Sequence, residues 1–305
     1  MSDFNVLIPL DGSRLSERAL TFLPAMNHMG DLRVDLVSII DEAEDIHAPG
    51  DEDSVERERN LLETYLREVA SDIRSHLGAH VDTSVTHGNP AEVILERARR
   101  DQTQLLIIST HGRSGLSRWS RGSTTDKVVR SAECPVLIVG PKAMERGAWL
   151  EAEAIPPFRQ ILLPLDGSSR AEKSLPVAAD FARGFNSEVH LMRVVPVPFV
   201  GAPGSDAFYT ALYTSQAIED LKQAGQQYLE QVRDRMGLKA AKINVDVGTT
   251  APMLEDYIAA ESIDLVVMTS HGRSGVVRTA LGSVTDRLLG GNAPILVVPA
   301  RDQAD

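Results

Sequence analysis

Apolar residues in this chain follow two alternating patterns. Short apolar runs occupy Val6 to Leu10, Val34 to Ile40, Leu105 to Ile108 and Val136 to Val139, while Val81 to Thr86 alternates apolar with polar side chains. Between them, apolar positions recur every three or four residues. Leu15, Ala19, Phe22, Leu23 and Met26 form one such series, and Val55 to Leu77, rich in Glu, Arg and Leu, forms a longer one. The first pattern predicts strands and the second amphipathic helices. Asp11-Gly12-Ser13 supplies a turn and a helix cap, Asn89 caps a helix with Pro90 in its first turn, and Ser123 caps the fourth helix. Asp41 to Asp53 is acidic and reads as a loop.

The same order then returns. Ile161 to Leu165, Val189 to Val195, Ile243 to Val247, Leu265 to Met268 and Ile295 to Val298 predict five more strands, and Thr249 or Thr250 caps the helix before Pro252. Phe4 to Ser13 matches Gln160 to Ser168, with Asp11 and Asp166 at an offset of 155, whereas Gly112 and Gly272 lie at an offset of 160. The extra residues therefore fall between the second and third strands of the second half, where Pro196 to Ser205 is rich in Pro and Gly. A period this long marks a duplicated domain rather than a solenoid. The domains are read as residues 1–141 and 159–305, joined by a charged linker, 142–158, that contains Pro156-Pro157. Strands this apolar, alternating with helices, imply an α/β fold with a parallel sheet covered on both faces.

Composition narrows the function. With 305 residues and 43% apolar content a sizeable core is possible, and a formal net charge of -12 argues against nucleic acid or anionic lipid as a partner held by bulk electrostatics. No apolar run approaches the roughly 20 residues that span a bilayer, and no basic stretch leads into an apolar core at the amino terminus. The single Cys134, set before Pro135 and an apolar run, reads as a packing residue. A cytoplasmic location, away from membranes, is the expectation.

One stretch is written twice. Ser109-Thr110-His111-Gly112-Arg113-Ser114-Gly115 precedes Gly122-Ser123-Thr124, and Thr269-Ser270-His271-Gly272-Arg273-Ser274-Gly275 precedes Gly282-Ser283-Val284. A strand, a glycine-bearing loop and a fresh helix start together make an anion cradle, because backbone N–H groups converge there and the helix dipole favours negative charge. Asp11 and Asp166 follow the first strand of each half. If the first and fourth strands adjoin at a topological switch point, each carboxylate faces its own loop. A carboxylate beside such a cradle suits a ribose hydroxyl or a metal carried on phosphates, so the pattern points to a nucleotide. The loop matches neither the Walker A sequence nor the dinucleotide fingerprint. A competing use for Asp11 and Asp166 is helix capping with Ser13 and Ser168. His111 and His271 read as loop hydrogen-bonding groups. Trp119 and the Arg118/Arg121 pair, found together in the first half only, cover a ligand or meet a partner.

Both halves resemble the universal stress protein family. The resemblance rests on Pro9-Leu10-Asp11 and Pro164-Leu165-Asp166 after the first strand, and on Gly112 and Gly272, each followed after nine intervening residues by the pairs Gly122-Ser123 and Gly282-Ser283. It implies, in each half, a Rossmann-like five-stranded parallel sheet of order 3-2-1-4-5. It also implies adenine near Ile39 and Val194, with Ile108 and Met268 on the base or ribose side. The implied cofactor is ATP, with AMP or ADP as alternatives and Mg²⁺ as a companion. The first glycine of the family motif is replaced by Ser109 and Thr269, whose side chains either crowd the ribose or add a hydroxyl contact. The expected role is a nucleotide-binding sensor or regulator in stress with no catalytic residues. The alternatives are a nucleotide-free adaptor, or a slow ATPase or phosphotransfer enzyme. The halves are expected to pair through their fifth strands, and tandem chains to form a homodimer; the sequence names no protein partner.

Overall fold

The computed structural model describes residues 3–41, 52–110, 123–140, 158–196, 215–270, 283–291 and 293–300. The first half contains β1 (Asp3–Pro9), a 3-10 helix (Ser16–Phe22), α1 (Leu23–Met26), β2 (Asp31–Ile40), α2 (Glu52–Leu77), β3 (His80–His87), α3 (Pro90–Arg100), β4 (Leu105–Ser109), α4 (Ser123–Ser131) and β5 (Val136–Val139). The second half contains β6 (Gln160–Pro164), α5 (Ser169–Glu172), α6 (Leu175–Phe185), β7 (Glu188–Val195), α7 (Ser215–Arg235), β8 (Lys242–Val247), α8 (Thr250–Ala260), β9 (Leu265–Thr269), α9 (Ser283–Leu288) and β10 (Ile295–Val298).

The strands form one ten-stranded sheet of order β3-β2-β1-β4-β5-β10-β9-β6-β7-β8. Read from its outer edge inward, each half has the expected order 3-2-1-4-5 with parallel neighbours. The halves join through their fifth strands, β5 and β10, which pair antiparallel with Leu137 opposite Leu296. All four residues of each of these strands are buried. A short, wholly apolar edge is costly to leave in water, and each half supplies the other's missing neighbour. The backbones also come close beside the seam: a Cβ on Gly140 would lie 2.5 Å from the carbonyl oxygen of Leu289.

Side chains alternate across the sheet, so two cores form. On one face Val6, Ile8 and Leu10 pack with Leu66 and Ile73 of α2, and Leu163 packs with Leu229 and Val232 of α7. On the other face Leu7, Val37 and Ile108 meet Ile94 and Val128 from α3 and α4, and Met192 and Val266 meet Leu254 and Leu288 from α8 and α9. Burial on both faces explains why the strands read as continuous apolar runs. Phe158, counted with the linker in the sequence reading, is fully buried. Its ring stacks on Phe22 of the first half at 5.5 Å and meets Phe185 of the second half edge-on at 5.2 Å.

Local chemistry departs from the sequence reading at two helix starts. The first helix is not a regular α-helix. Ser16, Ala19 and Phe22, three residues apart and all buried, suit the threefold repeat of a 3-10 turn. Pro24, which has no N–H to continue the ladder, then sits at the start of α1. At α8, Thr249 is the N-cap but its hydroxyl makes no capping bond. Asn89 does cap α3, accepting from the Glu92 N–H at 3.3 Å with Pro90 following. The five-residue difference between the halves falls between the ends of β2 and β3, as expected: Ile40 and Val195 end β2 and β7 at an offset of 155, and His87 and Val247 end β3 and β8 at an offset of 160.

Candidate functional site

Across each half, β1 and β6 lie between a strand on either side, β2 with β4 and β7 with β9. The chain order reverses there, so the strand tips part and leave a crevice. In the second half this crevice is a cleft of about 340 Å³. Pro164 and Asp166 leave β6 into it, Val194 comes from β7, Met268 and Thr269 from the end of β9, and Ser283 and Val284 from the start of α9. Seven residues singled out from sequence, 120 positions apart at the extremes, thus share one wall system. In the first half the counterparts Pro9, Asp11, Ile39, Ile108, Ser109 and Thr124 occupy the matching places on β1, β2, β4 and α4 or just after them.

The turn after the first strand has the same architecture twice. Gly12 and Gly167 adopt φ of 79° and 84°, a left-handed conformation that glycine takes without a Cβ penalty. That bend brings the next N–H back to the carboxylate: Oδ1 of Asp11 accepts from the Ser13 N–H at 2.9 Å, and Oδ1 of Asp166 from the Ser168 N–H at 2.9 Å. The Ser168 hydroxyl also donates to Asp166 at 2.6 Å and accepts from the Ala171 N–H at 3.1 Å, capping α5. Helix capping, the competing reading, is met by Ser168 at α5, whereas the first-half 3-10 helix has Leu15 as its N-cap with no side-chain capping bond; the two aspartates brace their turns, and Asp166 lines the cleft.

Ser109 and Thr269, which replace the first motif glycine, are buried at the strand ends. Thr125 on α4 donates its hydroxyl to the Ser109 carbonyl at 3.0 Å, which ties the helix after the loop to the strand before it. Thr285 is buried at the matching position of α9 and lines the cleft. Gly112, Arg113, Gly122, Gly272, Arg273 and Gly282, with His111 and His271, lie outside the described residues, as do Trp119, Arg118 and Arg121. Ser123 begins α4, and its side chain is likewise outside them. The converging amides expected of the loops thus have no described geometry.

Sequence reasoning missed several cleft residues. Thr250 and Leu254 of α8 close one side, and Arg193 of β7 and Ala171 of α5 line the other. Arg193 precedes Val194 and so faces the opposite side of the sheet. Its guanidinium lies 4.9 Å from the centre of the Tyr228 ring. The Tyr228 hydroxyl donates to Glu172 at 3.0 Å, and burial followed by the Glu172 charge raises the Tyr228 pKa well above the usual phenol value. A position-by-position comparison of the halves contained this signal: Arg193 stands where the first half has Ser38.

Away from the clefts, partly or fully buried polar groups brace matching places. Arg97 on α3 grips Asp35 on β2, with Nη2 to Oδ1 at 2.7 Å, and donates to Ser84 at 2.7 Å. In the second half His190, fully buried on β7, joins Tyr257 on α8 at 2.9 Å and Gln160 on β6 at 2.6 Å, and burial lowers its pKa. Among the described residues there is no group of three or more His, Cys, Asp or Glu able to hold a metal ion, and no described helix is long and apolar enough to cross a membrane.

Comparison with known proteins identifies the framework. The model of the universal stress protein family matches residues 4–140 and again 157–299. A universal stress protein of Methanocaldococcus jannaschii is 31% identical over 145 residues, covering 46% of this chain and 82% of the relative. A universal stress protein of Mycolicibacterium smegmatis is 24% identical over 312 residues and covers 98% of both chains. Among solved structures, a universal stress protein of Archaeoglobus fulgidus superposes with a TM-score of 0.69 at 18% identity, covering 97% of this chain and 98% of that one. Two consecutive matches to one family, on two copies of one sheet, make this chain a tandem member of the universal stress protein family.

Proposed function

We propose that each half is an adenine-nucleotide site and that the protein is an ATP-binding sensor or regulator in the stress response, with AMP or ADP as alternative ligands. The observation that carries the reading is the second cleft. An apolar slot between Val194 and Met268 suits a base, Asp166 at its mouth suits a ribose hydroxyl, and Ser283 and Thr285 at the start of a helix suit phosphates. In this reading, the residues of the chain bind and orient; none is assigned to bond breaking. Asp166 is the only carboxylate lining the described cleft, so Mg²⁺ would be held chiefly by the phosphates, with this one group as its protein ligand. Bound phosphate would draw each glycine loop into one arrangement and so change a surface that a partner reads, in proportion to the difference in affinity between the two loop states. A cytoplasmic location belongs to this proposal. A homodimer of tandem chains would need a surface other than β5 and β10, since these two strands pair with each other inside one chain.

Calorimetric titration of the full chain with ATP tests the proposal. The expected result is up to two sites per chain, with Gly282→Val losing the site in the second half while its circular dichroism is retained. ATP at 100 times Kd should also stabilise the chain by about 2.7 kcal/mol. A chain that gains no stability at millimolar ATP, and carries no nucleotide through purification, would instead be an adaptor. Steady phosphate release abolished by Asp166→Ala would mark an ATPase.

A further inference from the structure

Two residues lining the second cleft differ in charge from their first-half counterparts: Arg193 stands where the first half has Ser38, and Pro196 where it has Asp41. In the first half Ser38 is buried, and its hydroxyl is spent on the Leu10 carbonyl at 2.7 Å. In the second half the same strand position is Arg193, half-buried and lining the cleft. Tyr228 covers one face of the guanidinium. The nearby carboxylate of Glu172 is already engaged, by the Tyr228 hydroxyl at 3.0 Å and by Arg235 at 2.5 Å. Among the described residues the guanidinium N–H groups of Arg193 make no hydrogen bond or ion pair. Five donors in a planar fork against an aromatic ring, beside a cleft and with no acceptor among the described residues, are suited to an anionic ligand. We propose that Arg193 is a ligand-contacting, specificity-determining residue that makes the second cleft more selective than the first for nucleotides of higher negative charge.

This inference rests on the reading of the clefts as nucleotide sites. Its test is titration of the full-length chain, wild type and variants, with adenosine, AMP, ADP and ATP. In the wild type the second site should tighten along that series more steeply than the first. Arg193→Ala should weaken one ATP-binding event about tenfold, splitting the isotherm into two classes, because a hydrogen bond to a charged group is worth roughly that factor. Adenosine binding should be unchanged by Arg193→Ala, and Arg193→Lys should recover part of the ATP affinity and its dependence on salt. Equal losses for adenosine and ATP would mean that Arg193 only packs on Tyr228, and that result overturns the inference. Unchanged ATP affinity overturns it too. A wild-type chain that takes none of the four ligands defeats the nucleotide reading itself, before any variant is compared, and the role of Arg193 falls with it.

Discussion

Replacing Phe158 by alanine tests how the two halves are held together. Phe158 is fully buried, and its ring is parallel to that of Phe22 within 3° at 5.5 Å, edge-on to Phe185 at 5.2 Å, and tilted against Phe181 at 6.4 Å. Phe22 belongs to the first half and the other two partners to the second, so the ring is a bolt through the seam. Truncation removes the transfer free energy of the ring and leaves a cavity between elements that β5 and β10 hold in register, where collapse is restricted. A Phe→Ala change of this kind costs about 3–5 kcal/mol, within which each lost ring pair accounts for about 0.5–1.5 kcal/mol. Urea unfolding followed by far-ultraviolet circular dichroism is the assay. The variant should lose stability in that range, and a single transition should broaden or divide as the halves uncouple. Phe158→Leu, which keeps apolar bulk at the site, should recover most of the loss. A loss below about 1 kcal/mol for the alanine variant would refute the reasoning, since cavity and ring terms of this size cannot both vanish at a rigid site.

Three further outcomes are expected. Arg97→Met should destabilise the first half by about 2–3 kcal/mol, since it leaves the mostly buried Asp35 carboxylate without its two-pronged partner; chemical denaturation measures the loss, and Asp35→Asn combined with Arg97→Met should cost less than Arg97→Met alone. His190 has its folded pKa lowered by burial, so the folded state favours the neutral ring; its contribution is fully present above the unfolded value near 6.5 and is lost as pH falls through 6.5 towards the folded pKa. The stability difference between wild type and His190→Gln, measured from pH 8 to pH 5, should therefore shrink on acidification, and a constant difference would contradict the assignment. Cys134 is buried and its thiol is pushed up to about 11 by that burial, so it should resist a thiol reagent at pH 8 in the folded chain and react at once in denaturant.

The sequence by itself determined the elements and their repetition. Val136–Val139 and Ile295–Val298 are strands where the apolar runs placed them, Asn89 caps its helix, and the matched Pro-x-Asp turns end the first strand of each half. These features are local: side-chain period, a missing N–H, or a hydroxyl within reach of the next turn decides them over a few residues. Asp166, Val194, Met268 and Ser283 line one cleft; motif and strand order point to Asp166 and Ser283, whereas Val194 and Met268 are named only through the family resemblance. What the tertiary structure alone decided depends on partners far apart in the chain. Ser16, Ala19 and Phe22 settle into a 3-10 turn because the space beneath them suits that narrower repeat, whereas their spacing alone also suits an α-helix. Phe158 looks like linker until Phe22, Phe181 and Phe185 surround it. Arg193 reads as an ordinary charged strand residue until Tyr228, 35 positions later, covers its face and the cleft opens beside it. Local periodicity reports which side of an element is apolar, but it carries no information about which distant surface that side will meet; chain topology and close packing supply that.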